Sequence, residues 1–198
     1  MPKAYGRSGG TSGLICYLVR HSQTEWNSKG LLQGHLNSPL TELGIKNATE
    51  KGKLLGSLGI KKIYSSNLGR CMQTTEIVNK FINAPIVFTN QLRERSYGDF
   101  EGKHRTELLI DSLDLMARPS NGESMYDVKE RVLPFVKGLE KTEPLSPILL
   151  VAHGGVVRVL LSEALQKDIR DPACTPAQDF IGRFEIENGK LQNFELIK

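Results

Sequence analysis

No apolar run in this chain approaches the roughly 20 residues of a bilayer span, so a membrane-spanning protein is excluded. Cysteine is scarce: Cys16, Cys71 and Cys174 lie far apart and form no CxxC pair. That usage excludes a disulfide frame and fits reduced thiols in a cytoplasmic chain. Blocks of Lys and Arg are missing too, and 26 basic against 22 acidic residues leave a net charge of only +4. The balance suits an anionic ligand and is too weak to indicate nucleic acid as a partner. Walker A, GxGxxG and HExxH are absent, which argues against nucleotide-cradling loops and a helical zinc protease. Residues 1–13, MPKAYGRSGGTSG, carry no apolar h-region and are expected to be a flexible leader, not a signal peptide. A GxSxG match from Gly6 to Gly10 lies inside that leader with no strand before it, and is read as coincidence.

What is present is ordinary globular composition, 39% hydrophobic and 24% charged over 198 residues. A chain of that length buries roughly 70% of its unfolded surface in one domain, here expected over residues 14–198. Short apolar runs alternate with helix-period segments. Leu14–Val19, Lys62–Ser65, Ile86–Thr89 and Ile148–Ala152 read as strands. A helix is expected from Thr41, with Ile45, Ala48, Leu55 and Leu58 on its apolar side and Gly59 as its stop. Asn67 or Ser66 is expected to cap a second helix, carrying Cys71, Val78, Phe81 and Ile82. A further helical stretch near Thr106–Met116 falls in a lid or side lobe around 102–123. Ser124 and Asp127 form a capping box for a helix that Pro134 should kink. Gly154–Gln166 follows the last apolar strand, and Asn188-Gly189 sits between two alternating runs as a hairpin turn. Strands alternating with helices imply an α/β fold, a mainly parallel sheet covered on both faces.

The unusual polar residues fall where strands end. Arg20 and His21 follow the first strand, Arg70 comes soon after the second, Glu94 follows the third, and His153 directly follows the fourth. Parallel strands share their carboxyl ends, where ligands bind in such sheets, so residues distant in sequence converge on one pocket. Taken singly, each is as readily an ion-pair or packing residue; together their chemistry is coherent. Two arginines grip a phosphate dianion with planar forks, and Arg70 stands near a helix start, where backbone N–H groups add to an anion site. A neutral histidine attacks phosphorus, and a second histidine, if cationic, stabilises the transferring oxygens. A glutamate kept protonated by its surroundings gives its proton to the leaving alcohol.

At these residues the sequence resembles the histidine phosphatase superfamily, of phosphoglycerate mutase-like fold. The segment LVRHSQTEWNSKGLLQGHLNSPLTELG (Leu18–Gly44) is similar to its signature. SSNLGRCMQT (Ser65–Thr74), LRERSYGDFEG (Leu92–Gly102), NGES (Asn121–Ser124) and VAHGGVVR (Val151–Arg158) follow in the family's order. The resemblance implies a three-layer sandwich and a metal-free reaction with His21 as the nucleophile that becomes phosphohistidine. It implies that Arg20, Arg70, His153 and Asn27 hold the phosphoryl group, with Gln33, Gly34 and the Gly154 N–H as further contacts. Glu94 is implied as proton donor and then as the base that activates water. The free nitrogen of His21 is expected to attack while the other holds its proton against a backbone carbonyl. Ser22 departs from the family's usual glycine after the nucleophile, and a position needing positive φ would strain it.

The expected activity is hydrolysis of a small, anionic phosphomonoester. The alternative is a mutase, with 2,3-bisphosphoglycerate as priming cofactor only in that case. The short Glu94–Gly122 stretch and its YGDFEG block favour the phosphatase. Arg93, Arg95, Lys103, His104, Arg105 and Arg118 surround this lobe as candidate selectors of an anionic substrate. Two other classes stay open: a metal-dependent hydrolase on His21, His153 and Glu94, and a phosphate-binding module silenced by Ser22.

Overall fold

The computed structural model describes residues 13–107, 115–143 and 146–198. Six strands form one sheet in the order β3-β2-β4-β1-β5-β6. They are β1 (Leu14–Arg20), β2 (Lys62–Ser66), β3 (Ile86–Thr89), β4 (Ile148–Ala152), β5 (Ile181–Glu187) and β6 (Lys190–Leu196). β1 to β4 run parallel, and the last two strands add antiparallel beside β1. The helices are α1 (Glu25–Ser28), α2 (Glu42–Leu55), α3 (Gly69–Ile82), α4 (Met125–Thr142) and α5 (Gly154–Leu165).

Side-chain alternation along the central strands builds a separate core on each face. Ile148, Leu150 and Ala152 of β4, with Leu14, Cys16 and Leu18 of β1, pack beneath α4 and α5. Leu149 and Val151, with Tyr17 and Val19, pack beneath α2 and α3. A strand covered on both faces has no polar side, which is why ILLVA is apolar at every position. At the hairpin, Asn188 and Gly189 take φ of 52° and 71°, the left-handed pair of a tight turn, and Glu140 accepts from both of their N–H groups.

Several expectations need correction. α3 is capped at Leu68 with no side-chain bond, because the expected caps are engaged elsewhere. Asn67 Oδ1 accepts from Arg93, and Ser66 Oγ lies 2.7 Å from His153 Nε2. α2 ends at Leu55, before Gly59, and its buried face is Gly44, Ala48, Lys51, Gly52 and Leu55. Ile45 is exposed, and a lysine takes a core position on that face. Pro134 lies inside helix α4 as expected, on its exposed side, where water can serve the carbonyl the ring leaves unpaired. The helix expected near Thr106–Met116 and the leader fall largely outside the described residues; Arg105–Glu107 is a single 3-10 turn.

The capping box before α4 is present as read: Ser124 Oγ accepts from Asp127 N, and the Asp127 carboxylate accepts from Ser124 N at 2.7 Å. Ser124→Ala should cost about 1 kcal/mol. For a chain of this size that lowers the melting temperature by roughly 2–4 °C, measurable by calorimetry.

Candidate active site

Parallel pairing sets the site. Arg20 lies opposite Ala152 across β1 and β4, and the His21 N–H donates to the Ala152 carbonyl at 2.8 Å. His21 and His153 thus leave the sheet side by side, with ring centroids 5.2 Å apart. Both are buried. Two contacts define the His21 tautomer. Nδ1 lies 2.8 Å from the Ser22 carbonyl, which can only accept, so Nδ1 carries the proton. Nε2 lies 3.3 Å from Arg70 Nε–H, which can only donate, so Nε2 holds the lone pair. Burial first, then the Arg70 and Arg20 charges, hold the pKa of His21 well below its ordinary 6.5. Burial and Arg70 do the same for His153. His153 is therefore held neutral, so the condition on which a second histidine would stabilise charge, that it be cationic, is not favoured here.

Arg70, in the first turn of α3, is built into the loop before α2. Its Nη2 donates to the Gly34 carbonyl at 2.8 Å, and its Nη1 donates to the Leu36 carbonyl at 2.7 Å. Gly34 has φ of 49°, and a Cβ there would collide with the Glu101 carboxylate. Arg20 donates from Nη1 to the Pro176 carbonyl at 3.3 Å, while its buried Nε has no protein partner. Glu94 sits at the start of α5, its Oε1 accepting from Gly155 N at 3.0 Å and from Arg95 N at 2.9 Å. Asn27 Oδ1 accepts from the Thr24 N–H and hydroxyl, which orients the amide.

A cavity of about 360 Å³ opens over these groups. Arg20, His21, Asn27, Gln33, Gly34, Arg70, Glu94 and Gly154 all line it. His153 is not in its wall; it backs His21 and turns Nε2 toward Ser66 Oγ and Cys71 Sγ. Of the basic residues around the lobe, Arg95 and Arg105 line the cavity. Arg93 is bonded to Asn67, Arg118 to Asp127, and Lys103 lies over the Phe100 ring. Tyr97, Arg158, Thr175 and Pro176 also line it and were not read from the sequence. Arg158 was legible in principle, one helical turn beyond Gly154 on the same face. Thr175 and Pro176 lie in an irregular loop that carries no periodic signal.

Ser22 does not take the positive φ that would strain it, and its N–H donates to Thr74 Oγ1 at 3.1 Å, although its buried hydroxyl has no hydrogen-bond partner among the described residues. Among the described residues no three His, Cys, Asp or Glu side chains gather as metal ligands, so His21, His153 and Glu94 do not form the set a metal hydrolase needs. No helix among them is long and apolar enough to cross a membrane.

A basic cavity with a lone-pair histidine and a carboxyl in its wall, at the carboxyl ends of a parallel sheet, is an architecture suited to phosphoryl transfer. The chain belongs to the histidine phosphatase superfamily (branch 1), which it matches over residues 16–192. It is 32% identical over 152 residues to the uncharacterized phosphatase PhoE of Bacillus subtilis, covering 75% of this chain and 76% of that one. It is 34% identical over 163 residues to GpmB of Escherichia coli, named a probable phosphoglycerate mutase, covering 77% and 75%. Among solved structures, Bacillus stearothermophilus YhfR superposes with a TM-score of 0.81 at 30% identity, covering 92% of this chain and 95% of that one. A mycobacterial glucosyl-3-phosphoglycerate phosphatase in complex with VO3 gives 0.81 at 25% identity, covering 93% and 98%.

The neutral histidine pair has a consequence for stability. Unfolded, each ring titrates near 6.5; folded, each resists protonation, so below that pH the unfolded chain binds more protons. Stability should fall as pH drops through about 6, by up to roughly 1.4 kcal/mol per pH unit for each ring. Nitrogen NMR should show both rings neutral at pH 6, with His21 protonated at Nδ1. A His21 resonance titrating at its ordinary value would contradict this.

Proposed function

We propose that this protein hydrolyses small anionic phosphomonoesters through a phosphohistidine at His21, without a metal. The observation that carries the proposal is the tautomer of His21: Nδ1 is tied to the Ser22 carbonyl and the lone pair sits on Nε2 beside Arg70. In the first step Nε2 attacks phosphorus in line, the P–O ester bond breaks, and Glu94 gives its proton to the departing alcohol. In the second, Glu94 takes a proton from water, the oxygen attacks phosphorus, and the P–N bond breaks to return His21 and release phosphate. Phosphoryl transfer depends mainly on positioning and on stabilising charge over the equatorial oxygens. Arg20 and Arg70 supply that charge, and the partnerless buried Nε–H of Arg20 is a donor that a phosphoryl oxygen would satisfy. Asn27, Gln33 and the Gly154 N–H complete the cradle. His153 acts from behind, its ring tilted 60° against that of His21.

The mutase reading is favoured by the likeness to GpmB, and the phosphatase reading by the likenesses to PhoE and the mycobacterial phosphatase. The test is release of phosphate from p-nitrophenyl phosphate in excess EDTA, with His21→Ala beside the wild type. Chelator-resistant hydrolysis that is lost in the variant supports the proposal; a surviving wild-type rate in His21→Ala refutes it. Glu94→Gln should slow alkyl phosphates by about a hundredfold while affecting p-nitrophenyl phosphate much less, since that leaving group needs little protonation. Equal slowing would remove Glu94 as the acid. A protein that instead interconverts phosphoglycerates after priming by 2,3-bisphosphoglycerate, with little net hydrolysis, is a mutase.

A further inference from the structure

Lys51 is the one feature of the α2 core face that packing does not explain. It is 2% exposed, among Ala48, Gly52 and Leu55, where an apolar side chain would be expected. Its Nζ donates to the Arg20 carbonyl at 2.6 Å. Strand β5 begins at Ile181, opposite Val19, so the Arg20 carbonyl lies just beyond that ladder and takes its bond from Lys51 instead. The same residue also borders a second cavity of about 360 Å³, with Glu50, Lys53, Leu54, Ile181 and Lys198.

We propose that Lys51 is a positioning residue for the anion site, holding the end of β1 in place and adding its charge behind Arg20 and His21 when protonated. The proposal rests on reading the first cavity as the phosphoryl site. Lys51 touches no reacting atom, and its effect passes through the Arg20 carbonyl and through space. The charged and titratable groups that act on it through space are Arg20 at the end of β1, His21 just after it, Cys71 from α3, Asp179 before β5 and Lys198 after β6. On its own helix Glu50 is paired with Lys53, and Asp179 is paired with Lys198 at 3.4 Å, so neither carboxylate is given over to Lys51. Burial, reinforced by the Arg20 charge and opposed by Asp179 and Cys71, brings the Lys51 pKa from 10.5 down to about 7. Below that pH a further cation stands behind the site and the bond at the strand end is charge-assisted; above it the amine is neutral and the bond weaker.

Affinity for a dianion should therefore fall as pH rises through neutrality. The probe is sulfate, which stays doubly charged across the range, with its binding measured by calorimetry between about pH 6 and about pH 8.5. The wild type should weaken roughly fivefold, the effect of one charge close behind the site. Lys51→Met preserves volume and should give weak, nearly pH-independent binding. Lys51→Arg, charged throughout, should keep tight binding to the alkaline end and so rescue what Met loses. Melting temperatures of both variants report whether each is folded, and a folded Met variant alone suffices for the test. A Met variant with the wild-type pH slope overturns the proposal for Lys51. Absence of sulfate binding in every form, wild type included, would instead overturn the anion site itself.

Discussion

The parallel pairing of β1 with β4 is the constraint on which the rest of the site depends. Both strands are buried on both faces, and their register puts Arg20 opposite Ala152. One more bond, from the His21 N–H to the Ala152 carbonyl, carries that register past the strand ends. His21 and His153 then have little freedom in where they emerge, and α5 starts directly after His153 with Gly154 and Gly155 in the cavity wall. Much of the apolar packing above and below the sheet thus acts on function, because a shift of one strand would separate the two rings.

Electrostatics around that pair are arranged to keep it neutral. Arg20 and Arg70 stand close by, and each ring is shielded from water that would otherwise stabilise a proton. The positive charge that would attract a phosphoryl group in the proposed reaction also helps burial to leave His21 its lone pair. Arg70 combines both roles with a structural one: its Nη atoms hold the carbonyls of Gly34 and Leu36 while its Nε meets His21. The Gly34 loop, Arg70 and His21 are therefore one mechanical unit. Glu101 closes the outer side of that unit, accepting from the N–H groups of His35 and Tyr97.

The strands were legible because period-two burial on two faces leaves continuous apolar runs, and the polar residues at their ends stood out against them. Ser124 with Asp127 and Asn188 with Gly189 were legible because capping and tight turns are local chemistry. What was not legible came from tertiary contacts overriding local preference. Ser66 and Asn67 looked like caps, but they serve His153 and Arg93. Lys51 broke the helical pattern at the position where a strand-end carbonyl needed a donor, and Ile45 was left in solvent. Thr175 and Pro176 reach the cavity through the loop before β5, where no periodicity marks a residue as inward, whereas Arg158 reaches it from α5. The roles of the site residues rested on the resemblance, whereas their convergence followed from topology.

The central claim is that phosphoryl transfer passes through Nε2 of His21. The most direct measurement mixes enzyme with a 32P-labelled phosphomonoester, quenches in alkali within milliseconds, and maps the label by mass spectrometry. The account predicts an acid-labile, alkali-stable label on the peptide containing His21, formed at least as fast as turnover and absent in His21→Ala. Rapid hydrolysis with no label at His21, or with the label on another residue, would contradict it.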